Sequence, residues 1–282
     1  MSSAALCLVL IAAFAHAGWN LFAKTAEGGT TFVWLGAVAG SVLYLPALVV
    51  ALIVAPGRLG ATAFGFMVVS GALHSLYFVL LQRGYRDGDL SLVYPLARGT
   101  GPLLATVAAI VFFAERPSPL ALLGAALIVG AVLSLAARPT SAQEAGVVFA
   151  LLTGVSIAAY TLWDKQAVGH NHVSPIVYLW GLELVNVTLL SAWVLRRPES
   201  IRRTWDSSKR QVLGVGLLSP LAYILVLFAL AKAPVSYVAP AREVSILIAT
   251  ALGATVLAEE GLRHRLIAAG AIVLGIAALA IG

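Results

Sequence analysis

The sequence has little charge and almost no cysteine. Only 11% of its 282 residues are Asp, Glu, Lys or Arg, against about 25% in an average soluble domain. A single cysteine, Cys7, excludes an intramolecular disulfide and argues against dithiol chemistry. The chain also lacks an HExxH motif, a Gly-x-Ser-x-Gly motif, a Walker motif and a cluster of Cys and His. These absences argue against a metalloprotease, a serine hydrolase and an ATP-driven pump.

Long hydrophobic runs are present instead. Hydrophobic residues make up 61% of the sequence, and the segments 31–55, 118–137, 145–163, 211–231 and 266–282 contain no Asp, Glu, Lys, Arg or His. Because a helix of about 20 apolar residues crosses a bilayer core, we expect an all-α polytopic membrane protein. Hydropathy predicts ten transmembrane helices, near residues 3–23, 31–55, 62–82, 90–114, 118–137, 145–166, 174–195, 211–231, 235–257 and 264–281.

The chain carries an internal repeat. YPLARGTGPLLATVAAIVFFAE aligns without gaps with APAREVSILIATALGATVLAEE, which places Pro95 on Pro240 and Arg98 on Glu243. WNLFAK near the start of the first half matches YTLWDK in the second. We therefore expect two five-helix repeats, 1–140 and 141–282, and an odd number of spans inverts the second in the membrane. Inverted repeats with a site at their interface are typical of secondary transporters.

A family resemblance lies at the end of each half. FFAERPS followed by LLGAALIVGAVL is similar to the signature of the EamA type of the drug/metabolite transporter superfamily, where a Glu-Arg pair precedes a Gly-rich helix. The second half has LAEEGLR before AAGAIVLGIAAL, so glycine follows Glu260 instead of arginine. The resemblance covers both halves and points to ten-helix bacterial exporters of amino acids and small metabolites. It implies a transporter in the bacterial inner membrane.

Ionisable residues within the predicted spans are candidates for function, because such groups cost several kcal/mol at bilayer depth unless they are paired or hydrated. Arg98 has two interpretations. It forms a structural ion pair with Glu243 or Glu183, or it faces a cavity and holds a substrate carboxylate or phosphate. Arg242, next to Glu243, belongs to the same candidate ion pair or gate. Glu183 is either a proton-coupling group or a hydrogen-bonded packing element.

Two prolines at matching positions predict breaks in the fourth and ninth helices. Pro95 and Pro240 each remove a helix hydrogen bond. Irregular backbone at membrane depth persists only where it is buried or lines a cavity. The two helices are therefore expected to be central.

Aromatic and polar residues recur at helical spacing on the first, third, fourth, sixth and eighth spans. Small-molecule clefts combine aromatic walls with a few polar groups. Three further aromatic residues, Trp34, Tyr178 and Trp193, are not assigned to the cavity, because Trp and Tyr near span ends are common at the membrane interface. The predicted substrate cavity is lined by His16, Trp19, Asn20, His74, Tyr77, Tyr94, Arg98, Tyr160, Trp163 and Tyr223.

The expected function is secondary transport by alternating access, with export of small amphipathic metabolites and amino acids, including aromatic ones, as the leading class. A nucleotide sugar or sugar phosphate is the rival substrate. A lipid scramblase or a non-transport scaffold is the alternative of another class. We expect no enzyme activity, cofactor, metal or nucleic-acid partner, and the protein is expected to work as a monomer in the lipid bilayer. Proton coupling, facilitation and exchange stay open.

The orientation of the termini also stays open. Loops on their side contain four Lys or Arg residues, and the opposite loops contain twelve. The positive-inside rule then places the termini outside. The family resemblance implies cytoplasmic termini.

Overall fold

The fold of the described residues consists of helices. The computed structural model describes residues 3–54, 60–113, 118–136, 143–171, 173–232, 243–259 and 261–281. Within these ranges the all-α class is confirmed. The helices are α1 Ser3–Thr25, α2 Thr30–Leu43, α3 Leu45–Val54, α4 Ala61–Asp87, α5 Leu90–Phe113, α6 Pro119–Ala136, α7 Glu144–Lys165 with a π-helical turn Gln166–His170, α8 Pro175–Val194, α9 Pro198–Lys232, α10 Val244–Val256 and α11 Leu262–Ile281.

Polarity is distributed inside out compared with a water-soluble protein. Large apolar side chains lie on the outer surface, among them Phe14 at 65% exposure and Leu123 at 68%. Buried positions include Asn20, Arg98 and Glu243. Because the hydrocarbon of a bilayer solvates apolar side chains and excludes unpaired charge, this distribution is that of an integral membrane protein.

Several helices have the length and composition to cross a bilayer. Four of the described helices qualify alone, and α2 with α3 qualifies as a fifth span with a bend of 45° between them. The apolar segments Pro119–Leu135 and Val244–Val256 are shorter. The division into ten spans stays a prediction. The four single spans are Cys7–Thr25, Ala61–Asp87, Glu144–Val168 and Pro175–Val194.

The break in a helix lies elsewhere than expected. α5 continues through Pro95, which corrects the expected interruption there. Pro95 lies in the second turn of α5, so it removes a single hydrogen bond, to the carbonyl of Ser91 near the helix end. The chain bends instead between α2 and α3, where Pro46 occupies the first turn of α3. Pro240 lies outside the described residues.

The charged segment 196–210, which lies between two of the predicted spans, is largely helical. α9 joins two helices across a kink at Ser208, whose φ of −134° and ψ of 23° are not helical. The part before the kink carries Arg202 and Asp206 on its exposed surface, where Nε of Arg202 lies 3.8 Å from Oδ2 of Asp206. The apolar part after the kink enters the helix bundle.

The most extensive helix contacts are symmetric between the two halves. α1 packs along α9 and α10, and its counterpart α7 packs along α4 and α5. α6 packs against its own counterpart, α11. Gly275 permits this contact, because a Cβ there would lie 2.6 Å from Cγ1 of Ile128. The central space therefore lies between the halves, whose expected boundary at residues 140 and 141 is outside the described residues.

Candidate substrate cavity

Three neighbouring cavities lie between helices of the two halves. Glu183 and Pro220 line all three. The two larger ones enclose about 430 and 400 Å³ between the atoms, and these volumes include the open space at their mouths. The second of these, called the aromatic cavity below, is lined by His16, Trp19, His74, Tyr77, Phe78, Tyr160, Leu179, Leu182, Glu183, Ser219, Pro220 and Tyr223.

Rings from α4, α7 and α9 form one wall of the aromatic cavity. His74 stacks on Tyr160 with the ring centroids 4.1 Å apart and the planes inclined by 30°. Tyr77 meets both rings edge-on, at 6.4 Å and 5.6 Å. Tyr223 stands edge-on to His74 at 5.8 Å. Offset stacked and edge-to-face pairs stabilise one another, so these ring contacts hold the wall together.

Helix α1 contributes His16 and Trp19 to the lining of the aromatic cavity. The indole N–H of Trp19 donates to Nδ1 of His16 over 3.1 Å. Asn20 lies behind this pair, where its amide donates to the His16 carbonyl over 2.7 Å and its side-chain oxygen accepts from the Tyr85 hydroxyl. Asn20 is fully buried, and its contacts hold α1 rather than face the cavity.

A buried carboxylate that the sequence interpretation missed lies next to the ring wall. Asp164 accepts hydrogen bonds from the hydroxyls of Ser70 (2.6 Å), Tyr178 (2.6 Å) and Tyr223 (2.5 Å). Nε2 of His74 lies 3.9 Å from its Oδ2. Hydrogen bonds to an ionised group are shorter and stronger than neutral ones. Asp164 therefore joins α4, α7, α8 and α9 and orients two of the cavity side chains.

Tyr178 was expected at the membrane interface, but it lies in the interior because of its contact with Asp164. This tyrosine is fully buried instead of lying at the membrane interface, because its hydroxyl donates to Asp164. Trp193 lies on the outer surface with 43% exposure, and the Trp34 indole donates to the Ser191 hydroxyl over 2.8 Å. Asp164 falls within the sixth predicted span, one turn after Tyr160, and that position is the signal that could have identified it.

Glu183 of α8 has a different environment. It is 7% exposed, and no hydrogen bond or ion pair joins it to another residue in the part of the chain that the structure describes. Its polar neighbours on α8 are engaged elsewhere. Asn186 accepts from the Ser75 hydroxyl over 2.8 Å, and Trp180 donates to the Ser41 carbonyl over 3.0 Å. Glu183 itself lines all three cavities.

Arg98 and Glu243 form a buried ion pair between α5 and α10. Nε of Arg98 donates to Oε2 of Glu243 over 2.9 Å, and Nη2 donates to Oε1. Beside them the hydroxyls of Tyr94 and Ser245 lie 2.9 Å apart. This geometry belongs to the structural interpretation of Arg98, and its partner is Glu243 rather than Glu183. Arg242 lies outside the described residues.

The structure separates the predicted cavity residues into two sets. Four lie apart from the three cavities. The spacing of residues along a helix predicts which side chains share a face, but not which other helix that face packs against. Trp163, for example, donates to the Phe66 carbonyl over 3.0 Å. The six that line the aromatic cavity are His16, Trp19, His74, Tyr77, Tyr160 and Tyr223, and the four others are Asn20, Tyr94, Arg98 and Trp163.

Charged residues also join the two halves where α5 begins and α10 ends. Glu259 accepts from the backbone N–H groups of Leu90 and Ser91 over 2.7 and 2.9 Å. A carboxylate at a helix N-terminus accepts hydrogen bonds from free N–H groups and interacts favourably with the helix dipole. Arg265 donates to Asp89 over 2.7 Å and lies 3.6 Å from Glu259. This end network, Asp89, Ser91, Glu259 and Arg265, was not predicted from the sequence.

Within the described ranges, no group of three or more His, Cys, Asp or Glu side chains is placed to hold a metal ion.

The chain matches one family of known proteins over nearly its whole length. The EamA-like transporter family matches residues 3–137 and again residues 144–281. No curated protein gives a significant match. A solved structure, titled only as the crystal structure of a protein, has a TM-score of 0.67 at 17% identity, with 99% of this chain and 98% of that chain covered. At that identity the likeness supports the fold alone. Because the family match extends over both halves, the chain belongs to the EamA-like transporter family, which consists of membrane transporters of small solutes.

Proposed function

We propose that the protein is a secondary transporter that exports small amphipathic metabolites, with amino acids, including aromatic ones, as the leading class. The observation that carries the proposal is the aromatic cavity, which helices of both halves line. A solute held between two halves is exposed to one side of the membrane or to the other as the halves tilt. We place the protein in the bacterial inner membrane as a monomer.

The cavity lining favours an amino acid over a phosphorylated sugar. Trp19, Tyr77 and Tyr160 offer ring surfaces to an apolar or aromatic side chain. Among the described residues that line the three cavities, none is Lys or Arg. Arg98 is engaged by Glu243. A phosphate group would therefore meet Glu183 without a counter-charge, and unpaired buried charges are costly.

The end network supports the alternating-access part of the proposal. Asp89 and Ser91 belong to the first half, and Glu259 and Arg265 belong to the second. An opening at this end separates these partners. Water can then replace the contacts of Asp89, Glu259 and Arg265, which are partly exposed. The inverted arrangement of the repeats 1–140 and 141–282 belongs to the same proposal.

Counterflow into proteoliposomes tests the proposal. The vesicles are loaded with an unlabelled solute, and labelled amino acids, one sugar phosphate and one nucleotide sugar are supplied outside. We expect aromatic amino acids to accumulate. Tyr160→Ala and Trp19→Ala should each lower the initial rate about tenfold, since each removes a buried ring. Trp193→Ala, on the outer surface, is the matched control and should keep the wild-type rate.

Two results would count against the proposal. Accumulation of the phosphorylated compounds alone would replace the substrate class. Transfer of lipid between the leaflets, without uptake of any solute, would identify a scramblase.

A further inference from the structure

Glu183 is distinguished by what it lacks. Every other buried acid described above has donors around it. Asp164 accepts from three hydroxyls, and Glu243 is paired with Arg98. Glu183 is buried to a similar degree, yet it has no such partner among the residues that the structure describes.

A buried carboxyl group without a counter-charge either keeps its proton or binds a cation. Ionisable groups at membrane depth pair with one another or mark a path for ions or substrates. No Lys or Arg is found among the described residues lining the cavities that Glu183 shares. The other titratable groups lining them are His16, Tyr44, His74, Tyr77, Tyr160 and Tyr223.

The surroundings of Glu183 suit an organic ammonium group. Glu183 lines the aromatic cavity together with Trp19, Tyr77 and Tyr160. The faces of such rings attract a cation electrostatically, and more strongly where water is excluded. A carboxylate adds a charge-assisted hydrogen bond. The two features together recognise an amine better than either does alone.

We infer that Glu183 binds the ammonium group of the transported solute and holds a proton when that group is absent. This inference rests on the proposed function and names its coupling step. When the ammonium group binds, the O–H bond of the Glu183 carboxyl breaks and the proton leaves to water on that side. When the solute departs on the other side, a proton from that side returns to the carboxylate. Each cycle moves one ammonium group one way and one proton the other way.

The test compares wild type with Glu183→Gln, and Glu199→Gln serves as the control at an exposed position. The probes are phenylalanine, phenethylamine and N-acetylphenylalanine, which differ in the ammonium and carboxylate groups. Infrared difference spectra of the purified protein follow the carboxyl C=O band when phenethylamine is added. Uptake into vesicles with an imposed pH gradient measures whether solute transport is coupled to proton movement.

We expect phenethylamine to convert a protonated-carboxyl band into a carboxylate band in wild type and in Glu199→Gln, but not in Glu183→Gln. N-acetylphenylalanine should leave the band unchanged. Glu183→Gln should remain monodisperse and lose accumulation driven by the pH gradient.

Failure of the inference and failure of the proposed function give different results. If wild type transports phenylalanine and Glu183→Gln keeps gradient-driven accumulation, the inference is overturned and the proposed function stands. If wild type transports no amino acid, the proposed substrate class fails, and the infrared response to phenethylamine alone decides the inference. A band that phenethylamine leaves unchanged in wild type overturns it.

Discussion

Glu243 and Glu183 are the same residue type in the same half of the chain, but their environments differ. Glu243 is 1% exposed and accepts two hydrogen bonds from Arg98. Glu183 is 7% exposed and borders open space without a partner in the described part of the chain. A paired charge holds two helices together, whereas an unpaired one is available to a ligand. The contrast separates an acid that is paired within the fold from the acid that we propose serves transport.

The largest expected effect follows from breaking the pair. Arg98→Ala leaves the Glu243 carboxylate buried without its counter-charge, and loss of one partner of a buried pair costs about 3–5 kcal/mol of stability. We expect most of this variant to aggregate on extraction, as measured by size-exclusion chromatography of the solubilised protein.

A charge swap provides the control for that prediction. Arg98→Glu combined with Glu243→Arg keeps both charges and should recover part of the monodisperse protein. If Arg98→Ala is as stable as wild type and only loses solute binding, Arg98 belongs to the substrate site and the contrast with Glu183 fails.

A smaller effect is expected at Asp164, whose carboxyl group accepts hydrogen bonds from three hydroxyls instead of pairing with an arginine. Asp164→Asn keeps one oxygen acceptor but loses the charge-assisted hydrogen bonds. This loss costs about 1–3 kcal/mol of stability. Tyr178→Phe removes a single donor and should have a smaller effect. Thermal unfolding of both variants measures whether Asp164→Asn loses more stability than Tyr178→Phe. A loss at Asp164 larger than that at Arg98 would show that the hydroxyl cluster holds the bundle more firmly than the ion pair.

The sequence predicted those features that depend on one helix or on the repeat. Apolar runs identified the helices, because a bilayer demands them. The repeat register placed Arg98 on Glu243, and these two residues form an ion pair in the structure. Helical spacing found the rings of His74, Tyr77 and Tyr160.

Contacts between distant helix faces were not predictable in the same way. The role of Asp164 depends on donors from three other helices, and that of Glu259 depends on the free N–H groups at the start of α5. Trp163 has the spacing of a cavity residue but donates to a backbone carbonyl. Pro95 was expected to break α5, yet near the end of a long helix one lost hydrogen bond is tolerated.

The most direct measurement applies the same substitution to the two acids. Glu183→Gln and Glu243→Gln are compared for thermal unfolding in detergent and for solute accumulation driven by a pH gradient. We expect Glu243→Gln to unfold about 5 °C or more below wild type, while Glu183→Gln unfolds within about 1 °C of wild type, or above it, and loses coupled accumulation. The opposite pattern, a destabilised Glu183→Gln and a stable Glu243→Gln, would contradict the separation of a structural from a functional acid.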